Sequence, residues 1–253
     1  MKLLMAIPLL ALLTTGCAHR NSLQRESLEI PAGDLPIVQQ ERDPQKRSEN
    51  PLYLPNRKVL ESEFGSNTLQ NLISAMHQAM RQKDGIGIAA NQLGKNIQVF
   101  LIEAKSDNPR YRVLGPVPFS VFLNPRITQT SPERKNFWHG CLSAVGEKRG
   151  NVATYAWIDV EANTPDGKPL KVHLEGLAAV IFQHEFRHLL GGTYLDRANF
   201  FLEKKNLDQM LDRKEVPFFA PADENLPLLI GDYQLGESLE DYYARRSSNT
   251  NGL

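Results

Sequence analysis

The sequence predicts an α+β fold in which antiparallel β-sheets pack around one central helix. Three observations support this class: strand-like apolar runs before a helical segment, an Asp166-Gly167 pair typical of a hairpin turn, and an H-E-x-x-H motif directly after it. The chain has 253 residues, enough for one domain with tails. Basic and acidic residues number 29 each, so nothing indicates a nucleic-acid partner, and the oligomeric state is left open.

The first 17 residues look like the signal peptide of a bacterial lipoprotein. Lys2 gives a positive start, and the apolar run from Leu3 to Leu13 is too short to span a bilayer. Thr14 to Cys17 has the form of a lipoprotein cleavage site, so we expect Cys17 to be lipidated. The protein is then exported, anchored to a bacterial membrane by lipid, and faces the periplasm. A plain secretory signal is the alternative, because Thr14 stands where leucine is more usual.

Composition divides the remainder of the chain into three parts. Residues 18–50 are polar, with scattered prolines and charges, and predict a flexible tether, although the apolar patch at 35–38 is expected to dock on the domain. A catalytic domain is predicted over residues 51–215, followed by a C-terminal extension over 216–253. The last residues, from Arg245 onward, are predicted to be disordered.

A helix is predicted to begin at Ser66 or Asn67, since either side chain can cap it, and to end before Gly85. His77 lies away from the candidate ligand motifs and is expected at the surface. A short helix is predicted within residues 203–215. The first helix presents one apolar stripe to the core, formed by Leu69, Leu72, Ile73, Met76, Ala79 and Met80.

Strand signals recur between these helices. The second strand is predicted to end at Asn124-Pro125, and the last two flank Asp166-Gly167 as a hairpin that leads into the H-E-x-x-H helix. A loop rich in proline and glycine is predicted over residues 105–118. His173 alternates along a strand and is expected to face solvent. The predicted strands span residues 97–102, 121–123, 155–160 and 170–174.

The H-E-x-x-H motif lies between Gln183 and Gly191. On a helix it places His184 and His188 one turn apart on one face, where they can hold one metal ion. Glu185 lies beside them, positioned to take a proton from an attacking water. Histidines at this spacing are often surface residues, but the apolar residues before the motif favour a buried metal site.

A catalytic metal usually needs a third protein ligand. A metzincin-type protease would place a histidine where this chain has Tyr194, and a thermolysin-like protease would use a glutamate such as Glu203. The other candidate is Cys141, since thiolate is a good ligand for iron or zinc. If Cys17 is lipidated, Cys141 is the only thiol left and no internal disulfide can form. A metallo-endopeptidase of the H-E-x-x-H type stays open on these residues.

Residues 85–92 read G-I-G-I-A-A-N-Q, residues 139–143 read H-G-C-L-S, and residues 183–188 read Q-H-E-F-R-H. In this order they resemble three motifs of the peptide deformylases, namely G-x-G-x-A-A-x-Q, E-G-C-L-S and Q-H-E-x-D-H. Two positions depart from the pattern: His139 stands in place of Glu, and Arg187 in place of Asp.

A third departure follows the second motif, where the family's V-x-R is replaced by Val152-Ala153-Thr154. We interpret the loss of that arginine together with the aspartate at position 187 as the loss of one buried ion pair as a unit.

The resemblance implies a metal-dependent amide hydrolase that removes the formyl group from formyl-methionyl peptides or acts on other N-acyl peptides. In this frame Cys141, His184 and His188 hold one ion per chain, Fe²⁺ with Zn²⁺ or Ni²⁺ able to substitute. Glu185 transfers the proton. Gln92 and the backbone N–H of Leu142 stabilise the oxyanion.

The resemblance also implies substrate contacts. Ile86, Gly87 and Leu142 border the first side chain of the peptide, and Arg149, one residue out of register with the family pattern, contacts peptide backbone. Export would separate the protein from ribosomes, so released formyl-peptides are the expected substrates. The departures at positions 139 and 187 leave a further alternative, a degenerate binding protein without turnover.

Overall fold

The structure is a computed structural model that describes residues 26–31, 35–108, 111–146, 148–222 and 225–250. Cys17 and the predicted signal peptide lie outside these residues, so lipidation stays a prediction. In the described part of the chain, no helix has both the length and the apolar character needed to cross a membrane.

Antiparallel sheets and helices make up the described residues, which confirms the α+β class. The helices are α1 (Asn67–Gln82), α2 (Gly176–Leu189), α3 (Lys204–Asp212) and α4 (Leu239–Thr250). The strands are β1 (Gly87–Ala89), β2 (Val99–Ala104), β3 (Val117–Thr130), β4 (Arg134–His139), β5 (Arg149–Tyr155), β6 (Trp157–Asn163), β7 (Pro169–Glu175), β8 (Phe200–Leu202) and β9 (Ala220–Pro221). One sheet has the order β1-β2-β3-β6-β7 and the other the order β8-β5-β4-β9.

Helix α1 confirms the helix predicted from capping and periodicity. The Ser66 side chain accepts a hydrogen bond from the N–H of Leu69 at 3.2 Å, which satisfies one of the unpaired N–H groups at the helix start. His77 is partly exposed, as expected, and pairs with Glu103 at 2.8 Å. Most of the predicted stripe is buried, namely Leu69, Leu72, Met76, Ala79 and Met80.

Strand β3 corrects the prediction of a strand that ends at Asn124-Pro125. It continues to Thr130, and its pairing with β6 shifts register between Leu123 and Arg126. Asn124 has φ +51°, a backbone conformation that asparagine tolerates better than most residues. The turn-forming pair therefore makes a bulge inside a long strand and does not end it.

The hairpin around Asp166-Gly167 is confirmed. Strands β6 and β7 pair in antiparallel register from Trp157–Glu175 to Asn163–Pro169, and Gly167 has φ +83° at the turn. His173 is exposed on β7 as expected and pairs with Asp159. The predicted strand at 155–160 is in fact divided, because β5 ends at Tyr155 and β6 begins at Trp157 in the other sheet.

More than one antiparallel sheet was predicted, but the strands β4, β8 and β9 and most of β5, which form the second sheet, were not. Its central pair, β4 and β5, joins Arg134–Tyr155 to His139–Gly150. The second of the three motifs begins at His139, the last residue of β4, and continues into the loop between the two strands. The sheet therefore fixes the position at which this motif starts. No short turn signal separates the two strands in the sequence, which explains why pattern reading missed them.

Helix α2 packs against the first sheet through aromatic side chains. The ring of Phe182 lies 4.8 Å from that of Phe100 on β2 and 5.0 Å from that of Phe122 on β3, both edge-on. Phe186, one turn later, packs edge-on against Tyr233 at 4.9 Å. Pairs of this geometry add about 0.5–1.5 kcal/mol each beyond their buried area. They hold α2 in register on the sheet.

Two terminal segments depart from their predicted flexibility. The patch at 35–38 docks as expected, with Ile37 buried, and residues 35–50 lie with the domain and not in a free tether. Residues 245–250, predicted to be disordered, belong to helix α4, because Tyr242 and Leu239 on that helix are buried in the core. The predicted boundaries at 51, 215 and 216 are not otherwise tested.

Candidate metal centre

Three ligand-type side chains meet where helix α2 passes the end of strand β4. The donor atoms of Cys141, His184 and His188 all lie within 4.8 Å of one another. The Cys141 Sγ is 3.2 Å from His188 Nε2. Both histidines are buried, whereas the cysteine keeps some exposed surface. The three residues predicted as metal ligands are thus brought together, from positions 43 or more residues apart for the cysteine and the nearer histidine.

The electrostatic surroundings fit a cation. Burial, together with the nearby Glu185 carboxyl, raises the pKa of the Cys141 thiol to about 12. Burial, followed by the positive charge of Arg149, lowers the pKa of His184 to about 4, and burial also holds the pKa of His188 well below its usual range. The imidazoles are therefore neutral, as metal ligands must be, and a cation is what would stabilise a thiolate here. One thiolate and two imidazoles form a donor set suited to iron, zinc or nickel.

Glu185 is buried beside the ligands. Its Oε2 has no hydrogen-bond partner among the described residues, and burial raises the pKa of the carboxyl well above its ordinary value. A Cβ at Gly87 would lie 2.8 Å from the Glu185 Cδ, closer than side chains approach. Gly87 on β1 therefore leaves the space that this carboxyl occupies. A buried carboxyl with an unused oxygen and a raised pKa is suited to exchange protons near neutral pH.

Gln92 lies in a 3₁₀ helix, Ala90–Leu93, directly after β1, and is buried. Its Oε1 accepts a hydrogen bond from the N–H of Ala89 at 2.8 Å, which fixes the amide. Its Nε2 donates to Ser143 Oγ at 3.0 Å and points to Cys141 Sγ at 3.5 Å. The amide nitrogen of Gln92, predicted to be an oxyanion donor, thus lies at the metal centre. Ser143 was not singled out from the sequence, because nothing local to it indicates a contact with a glutamine 51 residues away.

His139 is buried beside His184. The two Nδ1 atoms are 3.1 Å apart, and the rings stack with centroids 5.2 Å apart. A hydrogen bond at this atom leaves the Nε2 of His184 to face a cation. A second group that hydrogen-bonds the far nitrogen of a metal-ligating histidine orients the ring and fixes its tautomer. His139, which stands where the family pattern has a carboxylate, therefore retains an acceptor at this position.

Arg187 has an acidic partner of its own in this fold. Its guanidinium lies 3.5 Å from Asp196 and its Nε donates to the carbonyl of Thr193 at 3.4 Å. Thr154, at the position of the family's arginine, is also buried, and its hydroxyl donates to the carbonyl of Lys135. Arg187 is therefore paired with a residue of the turn after α2, and the position of the family's arginine holds a neutral threonine. The loss of the family's own pair as a unit stays an interpretation.

A cleft of about 510 Å³ opens onto the metal centre. Ile86, Gly87, Leu142 and Arg149, the predicted substrate contacts, all line it, together with Gln92, Cys141, His184 and Glu185. The Arg149 guanidinium lies directly against Gly140, where a Cβ would overlap it. Its charge is also close enough to lower the pKa of Cys141 and His184. Arg149 therefore belongs to the cleft floor next to the ligands.

The segment before the predicted domain braces this site. The N–H of Val38 donates to the Gln92 carbonyl at 2.8 Å, and the N–H of Gln40 donates to the Ser143 carbonyl at 2.8 Å. The Gln39 side chain also donates to the Leu142 carbonyl at 3.2 Å. The apolar patch predicted docking on the domain, but only the fold shows that its docking surface includes Gln92 and Leu142, the two residues predicted to bind the oxyanion.

Similarity to known proteins is consistent with this geometry. A family model described as polypeptide deformylase matches residues 45–204. A peptide deformylase of Leptospira biflexa is 38% identical over 143 residues, which are 55% of this chain and 77% of that protein. Peptide deformylase 1 of Bifidobacterium longum is 33% identical over 189 residues, 72% of this chain and 82% of that protein. A class I type b peptide deformylase of Acinetobacter baumannii, solved with Met-Ala-Ser bound, superposes with a TM-score of 0.60 at 31% identity, covering 66% of this chain and 99% of that chain.

The ligand set predicts metal content. Protein without its first 17 residues should bind about one metal ion per chain, the stoichiometry of one three-ligand site. Cys141→Ala and His184→Ala should each abolish binding, measured by elemental analysis after gel filtration. His173→Ala, a histidine exposed on β7, is the matched control and should keep its metal. Full retention in Cys141→Ala would rule out this ligand set.

The contact between His139 and His184 predicts a change in metal affinity. His139→Ala removes the group that orients the ligand, and we expect about 10–100-fold weaker binding, measured by competition with a chelator. His139→Gln supplies an amide oxygen as acceptor and should lose less. His77→Ala, which alters a histidine paired with Glu103 elsewhere, is the control. Equal affinity in His139→Ala and the wild type would show that His139 does not position the ligand.

Proposed function

The chain belongs to the peptide deformylase family, and we propose that it hydrolyses the formyl amide of formyl-methionyl peptides, releasing formate. The observation that carries the proposal is the cluster of Cys141, His184 and His188 with Glu185 beside it in one cleft. Helix α2 is proposed as the central catalytic helix, since it presents three of these four side chains.

The protein's residues would bind the cation through the Cys141 sulfur and one ring nitrogen of each histidine. We propose Fe²⁺, with Zn²⁺ or Ni²⁺ able to substitute, because all three accept mixed thiolate and imidazole donors. When bound, the ion supplies Lewis-acid polarisation of the formyl carbonyl and acidifies water.

Glu185 acts as general base and then as general acid. It is proposed to take a proton from the attacking water and deliver it to the nitrogen of the leaving amine. Burial raises the pKa of this carboxyl, which supports a role in proton transfer because a raised pKa makes the carboxylate a stronger base. Gly87 leaves the space in which the carboxyl lies.

Gln92 and Leu142 are proposed to bind the oxyanion. The Gln92 Nε2, held toward Cys141 by the bond between its Oε1 and Ala89, is one donor, and the backbone N–H of Leu142 is the other. A donor of this kind is worth about 3–4 kcal/mol in the transition state. The brace from the segment at 38–40 keeps both residues in place, which supports their preorganisation.

The substrate is proposed to lie along the cleft with its methionine side chain against Ile86 and Leu142 and its backbone near Arg149. A related enzyme from Acinetobacter baumannii has been solved with Met-Ala-Ser bound, which supports a peptide of this length as ligand. An endopeptidase of the metzincin type is not favoured, because Tyr194, at its third-ligand position, is buried and donates its hydroxyl hydrogen to the Lys148 carbonyl.

Anchoring is proposed at Cys17, with the domain on the periplasmic face. The sequence of the first 17 residues is the support for it. An enzyme in that place would act on released formyl-peptides or other N-acyl peptides and not on nascent chains.

The role of Glu185 predicts a loss of turnover without a loss of metal. Glu185→Gln should lower kcat for formate release from a formyl-Met peptide by at least about 10²–10⁴-fold, the usual contribution of general acid–base catalysis. Metal content should stay at the wild-type level. Glu203→Gln, an exposed glutamate paired with Lys148, is the matched control and should be fully active. Near-wild-type turnover in Glu185→Gln would overturn the assignment.

The proposed anchor predicts a change in cell fractionation. Cys17→Ser, expressed as the full chain in a bacterium, should carry no lipid, because the acceptor thiol is gone, and should leave the membrane fraction. Labelling with a radioactive fatty acid measures the modification directly. A mutant that fractionates with membranes as the wild type does would show that Cys17 is not the anchor.

A further inference from the structure

A second cavity, of about 510 Å³, borders helix α2 but shares none of its lining residues with the catalytic cleft. Four arginines line it: Arg47, Arg187, Arg197 and Arg246. Among the described lining residues Asp196 is the only carboxylate. The four arginines come from separate parts of the chain, namely a 3₁₀ helix, α2, the segment after Asp196, and α4. The fold therefore brings more positive charge into this cavity than its own acidic residue can balance.

Arg187 is the buried member of the group, with about 5% of its surface exposed. Its Nη1 has no hydrogen-bond partner among the described residues, and its two other contacts, with Asp196 and the Thr193 carbonyl, are long at 3.5 and 3.4 Å. A buried guanidinium donor without an acceptor costs free energy that a bound acceptor would recover. Arg187 thus lines the cavity with a guanidinium whose hydrogen-bonding capacity the described residues do not fill.

The one carboxylate in the cavity is already occupied. Asp196 lies 3.0 Å from Arg47 and 3.5 Å from Arg187, and it also accepts a hydrogen bond from the N–H of Thr193 at 2.7 Å. Among the described residues Arg197 has one ion pair, at 3.5 Å, with Asp232, whose side chain is exposed. Arg187, Arg197 and Arg246 line this same cavity. The guanidinium groups therefore share one positive field.

Guanidinium groups converging from several directions suit a phosphate group better than a carboxylate. A phosphate offers three terminal oxygens and up to two negative charges, and planar N–H forks bind it through paired hydrogen bonds. We propose that this cavity is a binding site for a phosphate group, separate from the metal centre. The phosphate can belong to a soluble compound or to the headgroup of a lipid, and the chemistry of recognition is the same.

The site is tested by titrating the full chain, purified in nonionic detergent, with inorganic phosphate at constant ionic strength set with chloride. Calorimetry should show one saturable site. Arg197→Gln and Arg246→Gln change partly or fully exposed side chains, so folding should tolerate them, and each should weaken binding by at least about tenfold, the loss of one charge-assisted contact. Arg213→Gln, an exposed arginine paired with Glu215, is the matched control and should bind as the wild type does.

Two further arms locate the site and the source of the phosphate. Cys141→Ala, which is expected to hold no metal, should keep phosphate binding, since the cavity is separate from the cleft. Cys17→Ser is tested for flotation with vesicles of phosphatidic acid: binding that depends on Arg197 and Arg246, without binding of inorganic phosphate, would identify a lipid as the source. Absence of both, equal binding in all arginine variants, or loss of binding in Cys141→Ala would overturn the proposal.

Discussion

A sulfur and two nitrogens of buried imidazoles, all within 4.8 Å of one another, constrain the rest of this structure. Burial keeps the imidazoles of His184 and His188 neutral and raises the pKa of the Cys141 thiol to about 12. Because burial disfavours the charged form of each of these side chains, the cluster is well suited to bind a cation. The three ligand atoms tolerate little displacement, because each of them must reach the same metal position. The sheets, the caps and the terminal segments can all be understood as means of holding α2 against the end of β4.

Side chains that mimic backbone hold α2 in position. Gln183 accepts from the N–H of Tyr155 at 2.9 Å and donates to its carbonyl at 3.0 Å, so a helix is joined to β5 as a neighbouring strand would be. At the other end, Asn91 donates to the His188 carbonyl at 2.8 Å and Asn56 to the Leu189 carbonyl at 3.2 Å. These bonds satisfy carbonyls that a helix end leaves without partners. Metal ligands are thus positioned from both sheets and from the segment before α1.

His139 and Arg187, the two departures that lie within the motifs, have different consequences. At position 139 an imidazole replaces the family's carboxylate and hydrogen-bonds His184. The orientation of His184 as a ligand is therefore kept, but the negative charge of the carboxylate is gone. At position 187 a positive arginine replaces the family's negative aspartate. Its ion-pair partner is Asp196, which lies in the 3₁₀ turn after α2. A buried charge without a partner is strongly destabilising, so the reversal required an acidic residue nearby. Asp196 meets that requirement only in part, and the cavity beside it is left positive.

The sequence alone predicted the residues that now lie together: the two histidines and the glutamate of H-E-x-x-H, and, through the family resemblance, one cysteine and one glutamine in two short motifs. It also determined α1 with its Ser66 cap and the hairpin at Asp166-Gly167, because these depend on neighbours within a few residues. Only the tertiary structure decided that β3 runs through Asn124-Pro125, that residues 35–50 brace Gln92 and Leu142, and that Arg187 finds Asp196. Those outcomes depend on contacts between residues distant in the chain or on packing against another sheet. Local sequence patterns cannot predict either of these.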